Sequence, residues 1–144
     1  MGHIEATKNL SASTGALWAM VSDPQTWDKW FTVHDRWLEE PPAELTEGTK
    51  LTAKIVMLNM ANKIEWTIVS VDAPNRLTLA GTGMAGVKAE FNFSTEPTDS
   101  GSTFTVTGDF EGALVKGALA KAVEKDGLRQ LDKTLDQLDA LATA

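Results

Sequence analysis

The spacing of apolar residues changes twice along the chain. Residues 3–10 alternate, with Ile4, Ala6, Lys8 and Leu10 on one side, which predicts a strand. Ser13 is placed to cap a helix over 14–21, where Ala16, Leu17, Met20 and Val21 mark the buried stripe. Asp23-Pro24 is a second start signal, an acidic cap before a proline at the first helical position, and predicts a short helix to about Trp30. From about His34 to Glu111 the period is two. Strands are expected over His34–Glu39, Thr49–Leu58, Lys63–Val71, Arg76–Met84, Val87–Thr95 and Ser102–Phe110. Turn chemistry separates them at Pro41-Pro42, Glu47-Gly48, Asn59 to Asn62, Ala73-Pro74-Asn75, Ala85-Gly86 and Asp99-Ser100-Gly101. Connections this short force antiparallel neighbours, since a parallel pair needs a crossover of about a dozen residues. Ala113 to Ala142 has no proline and is rich in Ala, Leu, Lys and Asp, so the end is helical.

The strand faces locate the core. Val87, Ala89, Phe91 and Phe93 oppose Lys88, Glu90, Asn92 and Ser94. Phe104, Val106 and Phe110 oppose Thr105, Thr107 and Asp109; Ile64, Trp66 and Ile68 oppose Lys63, Glu65 and Thr67. One face of the sheet is wet and the other apolar, and the long C-terminal helix is the obvious cover. The expected class is α+β: a curved antiparallel sheet of about seven strands around one long helix, with two short helices after the first strand. Within that helix Leu114, Val115, Ala118, Leu119, Ala122 and Val123 centre on one side, whereas Leu128, Leu131, Leu135 and Leu138 centre nearly opposite. A straight helix does not turn both stripes to one core, so a break is expected near Gly127, with the preceding half a mobile segment. Lys116 and Lys121 early in the helix, and Asp136 and Asp139 late in it, run against its dipole.

Composition narrows the function. The 144 residues suit a single domain, 1–144, able to bury a real core. No apolar run approaches the roughly 18 residues of a membrane span, and Glu5 and Lys8 interrupt the N-terminus where a signal peptide needs an apolar stretch. A cytoplasmic location is the expectation. With no cysteine and two distant histidines, neither a metal site nor a cofactor is expected. A net charge of −7 disfavours nucleic acid and anionic lipid as partners. The aromatic set is five Trp and five Phe without a Tyr, and four of the Trp fall in the first 37 residues.

The order of strand, two short helices, six strands and long helix resembles the helix-grip fold of the START-like (SRPBCC) superfamily, also called the polyketide cyclase/dehydrase and lipid-transport superfamily. "ALWAMVSDPQTWDKWF" is similar to its first helix pair, with Asp23-Pro24 and Trp30 in the matching places. "WDKWFTVHDRW", "NKIEWTIV" and "GTGMAGVK" resemble a subgroup of small stand-alone actinobacterial proteins, some described as the toxin of a type II toxin–antitoxin pair. The resemblance implies a fold and an apolar ligand cavity, but no particular reaction.

Three readings follow. The leading one is binding of a small hydrophobic or amphipathic molecule in an internal cavity. A cyclase/dehydrase-type enzyme is the second, and it requires inward acid/base pairs that the apolar faces do not offer. A toxin with a protein antitoxin as partner is the third, and rests on the resemblance alone. The expected ligand-binding set is Trp30, at the cavity rim by its family position; His34, near the mouth and partly exposed; Met57, Trp66, Leu79, Phe91, Phe93, Phe104 and Phe110 as the wall; and Leu114 and Leu119 from the segment above it. Gly81 and Gly83 extend the Leu77, Leu79 face, as a bulge, a close approach or room for a ligand. Gly81-Thr82-Gly83-Met84-Ala85-Gly86 has phosphate-loop spacing, but it joins two strands and opens no helix, so that fingerprint fails on context. No catalytic residue is assigned.

Overall fold

The computed structural model describes residues 2–57, 60–83, 86–112 and 117–143. Strand β1 (Gly2–Leu10) leads into α1 (Thr14–Val21), a 3₁₀ turn at Pro24–Thr26 and the one-turn α2 (Trp27–Trp30). Strands β2 (His34–Trp37), β3 (Lys50–Met57), β4 (Met60–Asp72), β5 (Arg76–Gly83), β6 (Lys88–Thr98) and β7 (Gly101–Glu111) follow, and α3 (Gly117–Ala142) ends the fold. The local signals act as expected. The Ser13 side chain accepts from the N–H of Ala16, and Asp23 from that of Gln25.

All seven strands form one antiparallel sheet in the order β1-β7-β6-β5-β4-β3-β2. The meander from β2 to β7 is what short connections dictate, whereas the pairing of β1 with β7 is long-range. One row across the sheet aligns Ile4, Gly108, Phe91, Leu79 and Ile68; the next aligns Gly2, Phe110, Ala89, Gly81, Trp66 and Leu51. Large rings lie beside glycines in both rows. A methyl on Gly81 would sit 2.6 Å from Trp66 Cε3, and one on Gly108 would sit 2.8 Å from Phe91 Cε1. Gly81 therefore makes room for an indole of the protein itself.

The apolar face closes on α3, whose buried side is Ala120, Gly127, Leu131, Thr134, Leu135 and Leu138, with Asp126 among them. The break expected at Gly127 is absent: α3 runs unbroken from Gly117 to Ala142. Leu119 and Leu128 are 40% and 46% exposed, so the two opposed stripes dissolve into one. Gly127 sits where the helix packs directly on Ile4 of β1, since a methyl there would lie 2.8 Å from Ile4 Cδ1. The late acidic residues have partners that outweigh the dipole. Lys8 Nζ lies 2.6 Å from Asp132 and 2.9 Å from Asp136. The Asp139 carboxylate accepts the backbone N–H groups of Ser11 and Ala12 and the Ser11 hydroxyl. Together these tie the C-terminal half of α3 to the exit of β1.

Candidate functional site

The concave side of the sheet is built by parity. Met57, Trp66, Leu79, Phe91, Phe93, Phe104 and Phe110 all turn inward and are all buried. They meet ring against ring: Trp66 stands edge-on to Phe91 at 5.8 Å, as does Phe110 at 5.7 Å, and Phe91 stacks on Phe93 at 6.3 Å. Phe31 joins them, 5.6 Å from Phe91 and 5.4 Å from Phe93. The described interior is thus filled by its own rings.

Four of the expected positions differ from the sequence reading or fall outside the structure. Trp30 is not at a rim. It is fully buried, stacks on Phe31 at 5.6 Å, meets Phe93 edge-on at 5.7 Å, and gives its indole N–H to Thr26 Oγ1. The Trp cluster belongs to the main core because the helix pair folds over the sheet's end. His34 is not a surface residue either; it is 4% exposed. Leu119 faces outward, for the helical-phase reason given above, and Leu114 lies outside the described residues.

His34 reaches the inner face through an irregularity. It pairs with Ile55, but Arg36 pairs with Lys54, so the register shifts between them. The shift puts His34 and Trp37, three apart in sequence, on the same face, with ring centroids 4.4 Å apart. Trp27 covers the imidazole from α2 at 6.2 Å. Loss of water lowers the His34 pKa from the usual 6.5 to about 4, against the raising pull of Asp28 and Asp35. The ring is therefore neutral at pH 7, and among the described residues neither of its nitrogens has a hydrogen-bond partner.

Among the described residues two further buried side-chain polar atoms lack partners: Trp66 Nε1 and Thr95 Oγ1. Thr95 follows Phe91 and Phe93 on the same face, so its parity was available from sequence. The other indoles of the cluster are satisfied, Trp27 by the Val21 carbonyl at 3.0 Å and Trp37 by that of Pro24 at 2.8 Å. Sequence reasoning also passed over Asp126, buried on α3. It accepts from Arg129 and, at 3.2 Å, from Gln130, whose amide also donates to the Val56 carbonyl.

The convex face carries a groove of about 410 Å³, lined by Glu65, Thr82, Lys88, Glu90, Asp109 and Glu111 among others. Its lining also includes Gly81, Ala89 and Phe110 of the inward row that holds Trp66. His3 Nδ1 meets Asp109 there at 2.6 Å, which raises the histidine's pKa. Among the described residues no three ligating side chains meet in a way that could hold a metal ion, and no helix is long and apolar enough to cross a membrane.

Comparison with known proteins agrees with this architecture. A START superfamily protein from Mycobacterium smegmatis superposes with a TM-score of 0.78 at 18% identity, over 98% of this chain and 99% of that one. Protein CV1439 from Chromobacterium violaceum gives 0.77 at 12% identity, over 100% and 99%. In sequence, the uncharacterized protein Rv1546 of Mycobacterium tuberculosis is 25% identical over 141 residues, 98% of this chain and 99% of its own. Toxin Rv0910 of the same organism is 30% identical over 106 residues, 74% of each. The profile of one family matches residues 1–143. The chain belongs to the polyketide cyclase / dehydrase and lipid transport family.

Proposed function

We propose that the protein binds a small hydrophobic or amphipathic molecule between the concave face of the sheet and α3. One observation carries the reading. Every buried polar side-chain atom without a partner among the described residues belongs to an inward residue: His34, Trp66 or Thr95. Buried polar groups are normally hydrogen-bonded, and each exception costs about 1–3 kcal/mol. Four such atoms on one apolar face are what a site needs if its ligand supplies the missing partners. The rings now in contact must part to admit it, so binding is coupled to a movement of the wall or of α3. Family membership supports the same reading. The enzyme reading draws no support from His34, whose ring has no hydrogen-bond partner among the described residues.

The test is a titration with Nile red, a neutral apolar dye that brightens on leaving water, alongside native mass spectrometry of the protein as purified. The expected result is saturation at one dye per chain, displaced by any molecule that co-purifies. No saturable binding and no co-purifying molecule would remove the proposal.

The relative called a toxin supports a second reading, in which this chain is a toxin restrained by a protein antitoxin. Growth arrest on expression, relieved by the product of a neighbouring gene, would favour it. Unimpaired growth would count against it.

A further inference from the structure

Trp66 is the indole for which the fold makes a place and no partner. Its ring lies over the backbone of Gly81, against Ile64 and edge-on to Phe91. The side chain is fully buried, and its donor meets no acceptor among the described residues. Trp27, Trp30 and Trp37 show that this chain does satisfy indoles where it buries them for packing. A phenylalanine at 66 would fill much of the same apolar space without leaving a donor unpaired.

Resting on the ligand-binding reading above, we propose that the Trp66 N–H is the polar anchor of the site. The ligand class follows: an uncharged apolar body bearing an oxygen acceptor, as in a ketone, ester or ether, and not a free carboxylate. The donor favours such an acceptor over a plain hydrocarbon, which would leave it unpaired. Charge excludes the carboxylate. Among the described residues the cation on the inward side of β1 is Lys8, half-buried and held between Asp132 and Asp136. An anion carried inside would lose its water and meet, at His34, a ring that is neutral at pH 7 and offers it no counter-charge.

The experiment uses three probes of one shape: 2-acetylnaphthalene, 2-isopropylnaphthalene and 2-naphthoate. Affinities come from calorimetry, and indole N–H signals from proton–nitrogen correlation spectra of the wild-type protein. The ketone should bind about tenfold more tightly than the hydrocarbon, the yield of one hydrogen bond to an otherwise unpaired buried donor, and the carboxylate should bind most weakly. Adding the ketone should move the Trp66 indole signal downfield, while the hydrocarbon should not. In Trp66→Phe the ketone and hydrocarbon should bind within about twofold of each other. Should that variant not fold, the wild-type indole signal decides alone, assigned through its contacts with Phe91. Equal wild-type affinities with an unmoved Trp66 signal would overturn the anchor and leave the apolar-ligand reading standing. Tightest binding of 2-naphthoate would overturn the uncharged class. No saturable binding of these probes or of Nile red would overturn both proposals.

Discussion

His34 enters the folded state uncharged and leaves it able to charge. Its folded pKa, about 4, lies below the unfolded value near 6.5. Between those values the unfolded chain takes up a proton that the folded ring refuses. This contribution is therefore neutral above about pH 7, turns unfavourable as the pH falls through 6.5, and levels off below 4. Its full size is on the order of 3 kcal/mol, from a difference of about 2.5 pKa units at about 1.4 kcal/mol each. His34→Phe should remove it, so the stability of the variant relative to wild type should rise steadily from pH 7 to pH 4.5 in denaturant titrations. A difference that does not change with pH would mean that the imidazole keeps its water. The sequence reading placed His34 near the mouth and partly exposed, but the register shift between His34 and Arg36 leaves His34 and Trp37 on one inner face beneath Trp27.

At the scale of the element, two glycines in helices make opposite predictions. Gly15 lies in α1 with nothing near its absent side chain. Gly15→Ala should stabilise the protein by up to about 1 kcal/mol, through helix propensity and a less flexible unfolded chain. Gly127 has the same propensity argument in its favour, but a methyl there meets Ile4 Cδ1 at 2.8 Å and Cγ2 at 3.1 Å. Overpacking of this kind typically costs about 1–3 kcal/mol, so Gly127→Ala should be net destabilising in thermal melts. Stabilisation by both substitutions would show that β1 yields freely. The contrast also explains the misplaced hinge. A glycine inside a helix reads alike in sequence whether it marks a break or a close approach, and only the position of Ile4 distinguishes them.

In the whole molecule, α3 is held from Gly127 onward by a succession of different partners. Ile4 packs at Gly127, Gln130 reaches the Val56 carbonyl, and Thr134 bonds to Thr32 in the segment after α2. Lys8 and the backbone of Ser11 and Ala12 then hold Asp132, Asp136 and Asp139. These ties lie at Gly127 and beyond it, and before it the same unbroken helix buries Ala120 and Asp126. Amide hydrogen exchange should therefore show protection continuing through Gly127, from about Val123 to Leu138, with no step at the glycine. A sharp drop in protection before Gly127 would restore the hinge.

The sequence alone was sufficient wherever a local rule acted. Period two placed β3 to β7 and sorted Trp66, Leu79, Phe91 and Phe104 to one face, because successive side chains in a strand alternate. Ser13, Asp23 and Pro24 set the starts of α1 and the 3₁₀ turn, because caps act within three residues. Tertiary structure decided what depended on residues far apart in the chain. It paired β1 with β7, seated Trp30 in the core instead of at a rim, and shifted the register that turned His34 inward. It also left the indole of Trp66 unpaired while matching the other buried ones. Whether a buried donor finds an acceptor depends on groups brought near by folding, and no pattern along the chain records their distance.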